Sequence, residues 1–217
     1  MIMRPPLSFE QKNKVMFGRW AKFYDSRFLR QLYFERLYRK LMMISDGFHL
    51  YPWPPSFRVL DVACGTGELL FRLASKAPQA DYAGLDLTPE MLAVARKKLA
   101  AFRHVKLVEG NASALPFKDR SFDLVLCSEA FHHFFEPQIA LNEMARVTKP
   151  GGYLILMDPA ANTFFQRLVV RFGSRLIEVN NHVYSFLELQ ALLRNAGYTV
   201  EQHFYYFLNN FIVARRA

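Results

Sequence analysis

The spacing of apolar residues changes once along this chain, near residue 50. Before that point apolar positions recur at three- and four-residue steps, first at Phe9, Val15, Met16, Trp20, Phe23 and Tyr24, then at Leu29, Leu32, Tyr33, Leu37, Leu41 and Ile44. That rhythm predicts helix across 8–46, with a second amphipathic stretch over 27–44. Arg30, Arg36, Arg39 and Lys40 lie around its apolar face. Tyr51-Pro52-Trp53-Pro54-Pro55 follows, and its three prolines exclude helix and sheet interior. The predicted boundary falls there, between an N-terminal helical lid or extension at 1–56 and a main domain at 57–217.

Past the boundary, short apolar runs alternate with helical spacing. The sharpest is Arg58-Val59-Leu60-Asp61-Val62-Ala63-Cys64-Gly65-Thr66-Gly67-Glu68-Leu69-Leu70. An apolar run carries an acid, breaks into a Gly-x-Gly turn and restarts at helical spacing, which reads as a strand buried on both faces, a tight turn and a helix. Further strands are predicted at 105–109, 124–128 and 153–158, and Lys149-Pro150-Gly151-Gly152 reads as the turn into the last of these. Thr88 followed by Pro89 marks a helix start. Ser185-Phe186-Leu187-Glu188 has the form of a capping box opening a helix that ends near Gly197. The tail, 198–207 and 211–214, reads as a hairpin joined at Asn209-Asn210. The predicted fold is α/β: a doubly wound, mostly parallel, Rossmann-like sheet of seven strands, with an N-terminal helical extension and a C-terminal antiparallel hairpin.

A glycine turn at the end of the first strand is a small-molecule site. A dinucleotide fingerprint wants a third small residue where this chain has Leu70. Asp61 lies inside the strand, where a carboxylate is costly to bury without a partner. A cationic ligand end would be that partner; the plainer role is capping the turn's own N–H groups. Asp86 ends the second apolar run about twenty residues on, placed to accept from a ribose diol, and Leu87 follows it as a cover for an adenine face.

These residues resemble motif I and the segment after it in the class I S-adenosylmethionine (SAM)-dependent methyltransferases. The resemblance continues in register through Leu85-Asp86-Leu87-Thr88-Pro89, Glu109-Gly110-Asn111-Ala112-Ser113, Ser121-Phe122-Asp123-Leu124-Val125 and Lys149-Pro150-Gly151-Gly152. It covers roughly 57–159, and its order and spacing are similar to those of the small-molecule branch that includes the ubiquinone and menaquinone C-methyltransferases. It implies SAM as cofactor, held by the Cys64-Gly65-Thr66-Gly67 turn, Asp61 at the methionyl end, Asp86 and Leu87 at the ribose and adenine, and the Ser128 carbonyl near the ammonium. Asn111 departs from the family's usual acid. It reads either as an acceptor for the adenine amino group, beside the Ala112 N–H, or as a loop cap. Tyr24 resembles the Tyr of a lid helix over the cofactor, and reads equally as a core residue.

His132 and His133 follow the fourth strand, in the loop that faces the methyl group in this fold. One of them is a candidate general base. His133, which stands where the family often keeps a His, is the stronger candidate, against the plain alternative that one packs on the next helix and the other caps it. Ser128-Glu129-Ala130-Phe131 lacks the Pro-Pro signature of amino-group methylation of bases or glutamine. The two cysteines do not form a catalytic pair for RNA, and no His/Cys/Asp/Glu spacing suggests a metal.

The formal charge of +9 is uneven: residues 1–60 hold eleven Lys/Arg against four acids, and the rest hold seventeen against fifteen. The surplus therefore belongs to the extension. The expected partner is a small, apolar or aromatic acceptor, in a cytoplasmic protein that binds no DNA. The alternative is an RNA- or membrane-associated SAM-binding protein, with the basic helices meeting RNA or, better, a membrane surface peripherally.

Overall fold

The computed structural model describes residues 8–21, 35–47, 53–160, 182–206 and 208–217. Helix α1 spans Phe9–Trp20 and opens on a reciprocal cap: Ser8 Oγ accepts from Gln11 N at 3.2 Å, and Gln11 Oε1 accepts from Ser8 N at 2.9 Å. Helix α2 spans Glu35–Gly47. The main domain then runs β1 (Arg58–Val62), α3 (Glu68–Lys76), β2 (Asp81–Asp86), α4 (Pro89–Lys98), β3 (Val105–Glu109), β4 (Phe122–Ser128), a 3-10 turn (Phe131–His133), α5 (Pro137–Val147), β5 (Thr148–Pro159), α6 (Phe186–Asn195), β6 (Tyr198–Tyr206) and β7 (Asn209–Arg216). The seven strands form one sheet in the order β3-β2-β1-β4-β5-β7-β6. β1 to β5 pair in parallel, and β7 runs antiparallel to both β5 and β6. The predicted architecture is the one observed.

Alternate residues of each central strand face opposite layers, as a period of two requires. Leu60, Val62, Val125 and Cys127 pack under α5 and α6 with Leu141, Met144, Leu189 and Leu193. Val59, Leu124 and Leu126 pack on the other side with Leu70 of α3, Leu92 of α4, and Leu37 and Leu41 of α2. The helical extension thus shares a core with the main domain. The Arg72–Glu35 ion pair, at 2.7 Å, ties α3 to α2 at the edge of that layer.

Three local readings change in the structure. Asn209 and Asn210 do not join the hairpin; they are fully buried inside β7, and the left-handed turn residue is Leu208, at φ 70°. The Asn210 amide is occupied in the core: its Nδ2 donates to Tyr184 O and its Oδ1 meets His203 Nε2 at 3.1 Å. β5 begins before the Lys149–Gly152 turn. Thr148 pairs with Phe122 and Tyr153 with Leu124, so the turn is a bulge within the strand. Thr88 caps α4 with its backbone alone, because its hydroxyl turns to Asp86. Among the described residues, no helix is long and apolar enough to cross a membrane.

The close helix–strand packing that a third glycine would permit is achieved from the opposite side. Leu70 of α3 lies against Gly84 of β2, where an added Cβ would meet Leu70 Cδ1 at 2.6 Å, Cys64 Sγ at 2.8 Å and Leu107 Cδ2 at 2.9 Å. Gly84→Ala is therefore expected to lower stability by about 1–3 kcal/mol in urea denaturation. In a Leu70→Ala background the same change should cost measurably less. Equal costs in both backgrounds would show that Leu70 and Gly84 do not share the space.

Candidate functional site

The chain runs outward from β1 and from β2, then crosses to the far side of β1 for β4. This strand order leaves a crevice at the carboxyl ends of β1 and β4. The backbone there is bent by residues in the left-handed region: Ala63 at φ 61°, Gly65 at 52° and Gly67 at 73° after β1, and Glu129 at 54° after β4. Non-glycine residues adopt such angles only where the surroundings hold them. The Ala63–Gly67 turn is held by Cys64 N donating to Leu85 O at 3.0 Å and Gly67 N donating to Cys64 O at 2.9 Å.

One cavity of about 150 Å³ fills this crevice. It gathers Asp61, Cys64, Gly65, Asp86, Leu87, Asn111, Ala112, Ser128 and His133 from five separate stretches of sequence. Gly67 is not on its wall. Its role is structural, since an added Cβ would meet Leu99 Cδ1 at 2.9 Å and Ala95 Cβ at 3.1 Å of the α4 layer. Tyr24 lies outside the described residues.

The two predicted carboxylates have divided the turn between them. Asp86 takes the amides: Gly65 N donates to Oδ2 and Thr88 N to Oδ1, each at 2.8 Å. Burial still pushes its carboxyl up, against the pull of those N–H groups. Asp61 is only 1% exposed, and neither of its oxygens has a partner. The capping role open to it in the sequence has gone to Asp86. Burial, and then the negative charge of Asp86, push the Asp61 carboxyl up to about 8. An unpartnered buried carboxyl on a cavity wall fits a cationic group. SAM carries both an ammonium and a sulfonium, so the donor set suits it. Asn111 Oδ1 accepts from Ser113 N at 2.9 Å, the loop-capping geometry, and Ala112 is buried beside it.

Two sets of residues at the site were not singled out in the sequence. Asn13, Lys14 and Phe17 of α1 form part of the cavity wall. Asn13 Nδ2 donates to His133 O at 3.3 Å, Phe17 meets the His133 ring edge-on at 4.9 Å, and Lys14 reaches Glu109 at 3.1 Å. The sequence suggested an N-terminal lid helix through Tyr24 but did not single out these residues, whose contacts lie about a hundred residues away in sequence. The second is the pairing of His132. Its Nδ1 lies 2.9 Å from Oδ1 of Asp158, a fully buried carboxylate at the end of β5. Burial pulls the imidazole down, but the charge and hydrogen bond of Asp158, with Glu129, outweigh it and raise His132 above its ordinary value. The His132 and His133 rings are in contact, tilted by 42° with centroids 3.9 Å apart.

Residues 60–156 match the family model described as a methyltransferase domain. A demethylmenaquinone methyltransferase of Deinococcus radiodurans is 40% identical over 146 residues, covering 62% of this chain and 60% of the relative. One from Thermus thermophilus is 36% identical over 165 residues, covering 66% of this chain and 74% of the relative. This chain thus spans about three fifths of the Deinococcus protein's length. A Bacillus halodurans structure assigned to the methyltransferases superposes with a TM-score of 0.67 at 28% identity, over 77% of this chain and 71% of that one.

The state of Asp61 has a measurable consequence for the ligand-free protein. Its folded carboxyl keeps a proton up to about pH 8, whereas an unfolded one loses it near 4. Asp61 therefore opposes folding increasingly as the pH rises through that interval, and the effect levels off above it. Asp61→Asn should raise the ligand-free melting temperature relative to wild type by clearly more at pH 8 than at pH 5. A difference that is the same at both pH values would mean that Asp61 is ionised and solvated.

Proposed function

The chain belongs to the SAM-dependent methyltransferases, and we propose that it transfers a methyl group from SAM to a small apolar or aromatic acceptor, of the reduced demethylated naphthoquinone type. The observation that carries the reading is Asp61, buried and unpartnered on the cavity wall. SAM supplies an activated methyl on a sulfonium. Asp61 meets the cationic methionyl end. Asp86 accepts the ribose hydroxyls in the place where the Thr88 hydroxyl now lies, and Leu87, Asn111 and Ala112 frame the adenine. Ser128, at the tip of β4, offers its carbonyl to the ammonium.

The acceptor side is supported by the aromatic wall. Phe17, Phe134 and Phe135 line the cavity next to His133, and Phe135 is 74% exposed. A flat apolar ring would cover that surface. The relatives' names point to a quinone ring carbon, and such a carbon becomes nucleophilic when a ring hydroxyl loses its proton. The histidine loop is where that proton would go, with His133 on the cavity wall. The extension acts as a lid, since α1 brings Asn13 and Phe17 onto the cavity and α2 anchors it to the core. Positioning alone contributes roughly 7–11 kcal/mol to such reactions, so a dry, shaped site counts for more than many catalytic groups.

Calorimetry tests the reading directly. At pH 7 the free Asp61 holds its proton, and a bound cation beside it favours the ionised form, so SAM binding should release close to one proton. The apparent enthalpy should change with the ionisation enthalpy of the buffer in wild type and not in Asp61→Asn. NAD should not bind. Tight NAD binding with no response to SAM would end the methyltransferase reading. Labelled SAM incubated with a reduced, short-chain demethylated naphthoquinone should yield the ring-methylated product, and labelling only of other metabolites would move the acceptor class.

A further inference from the structure

α2 reaches the cavity wall at Tyr38, a buried residue that joins Thr66, Glu68 and Leu69 there. These three mark the point where the turn after β1 becomes α3. The Arg72 guanidinium of α3 faces the Tyr38 ring, 5.7 Å from its centroid. Arg72 also grips Glu35, one turn before Tyr38 on α2, with Nη1 at 3.2 Å and Nη2 at 2.7 Å. Arg72 thus holds α2 at two points and sets where Tyr38 stands. The charges of this end suit an anion. Glu68, the acid in this stretch of wall, has both oxygens taken: Oε1 accepts from Arg72 Nε at 3.0 Å and Oε2 from Lys98 Nζ at 2.9 Å. The first bond of the α3 ladder runs from Phe71 N to Gly67 O, so the N–H groups before it lie outside that ladder, at the positive end of the helix dipole.

SAM carries its ammonium and its carboxylate on one carbon, so whatever meets the carboxylate must stand near the partner of the ammonium. Asp61, buried without a partner on the same wall, is the group that suits the ammonium. Among the described residues that line the cavity, the one lysine or arginine is Lys14, which is tied to Glu109 at the end of β3, two strands away from Asp61. The carboxylate is left to neutral donors at the α3 turn. We propose that Tyr38, positioned by Arg72, donates its hydroxyl to the carboxylate of SAM; this rests on the methyl-transfer reading above. The extension then does more than cover the cavity. Through Tyr38 it reads the amino-acid end of the cofactor, and a ligand with the adenosine but no carboxylate loses that contact.

The test is calorimetric and needs no acceptor. SAM is titrated into the full chain beside decarboxylated SAM, which keeps the adenosine, the sulfonium and the ammonium. Tyr38→Phe keeps the ring and its packing. It should weaken SAM binding by about tenfold or more, as the loss of a hydrogen bond to a charged group implies, and leave the affinity for the decarboxylated compound unchanged. A merely structural role would weaken both. Arg72→Gln should give a smaller loss of the same selective kind, and Tyr38→Phe should cost less in that background than in wild type. If the Arg72 variant fails to fold, Tyr38→Phe carries the test alone. An unchanged SAM affinity in Tyr38→Phe, or a loss shared equally by the two compounds, overturns the assignment, and full additivity of the two substitutions overturns the part given to Arg72. Failure of wild type to bind either compound would count against the proposed function instead.

Discussion

Asp61 is buried near the carboxyl end of β1, the strand that sits between β2 and β4, and no other residue pairs with either of its oxygens. Ionising such a group without a partner costs several kcal/mol, which is comparable to the whole stability of a domain this size. The ligand-free protein avoids that cost by keeping the proton. The surrounding strand tolerates the group because its neighbours Leu60 and Val62 are fully buried between two helical layers. Nearly every other feature of the site follows from this placement. The turn amides must be satisfied, and with Asp61 pointing into the hollow they go to Asp86. Asp86 thereby ties the loops after β1 and β2 into one rigid rim.

The rim is also where the backbone is strained. Ala63 and Glu129 take left-handed angles at the ends of adjacent strands. Each costs on the order of 1–3 kcal/mol relative to relaxed backbone. Their common effect is to turn the chain away at the β1–β4 junction, so that the two strand ends do not close over the cavity. Glu129 N donating to Met157 O, at 2.7 Å, fixes the second turn against β5. That same contact brings Asp158, the next residue of β5, beside the histidine loop. Backbone geometry at one strand end thus decides which carboxylate reaches which imidazole.

The parts of the molecule legible in the sequence are those decided by local pattern. Strands buried on both faces read as unbroken apolar runs, and the Gly65–Gly67 turn, Asp86 and the Ser185 capping box announce themselves within a few residues. The parts that escaped are decided by distant partners. Asn209-Asn210 has the composition of a turn, yet Tyr184 and His203 recruit Asn210 into the core. Thr88 has the composition of a cap, yet Asp86 takes its hydroxyl. Nothing near His132 in the chain distinguishes it from His133; the distinction comes from Asp158, twenty-six positions away. A lid helix was suggested by Tyr24, but Asn13, Lys14 and Phe17 were not singled out for the same reason, since a helical period gives a buried face but not what the face covers.

A site that holds a methylating cation must also protect the protein's own nucleophiles, and the two cysteines show how. Cys64 is on the cavity wall and Cys127 is buried on β4. A thiolate there would compete with the acceptor, because the thiolate and not the thiol is the reactive form. Burial first, and then the negative charge of Asp61 and Asp86, push the Cys64 thiol well above its ordinary value. Burial, Asp158 and Asp61 do the same for Cys127. Burial, the largest cause for each, keeps both sulfurs protonated and inert, and the neighbouring carboxylates add to it when ionised. The buried surroundings that leave the Asp61 carboxyl protonated thus also hold the thiols in their unreactive form, because desolvation disfavours the charged form of either group.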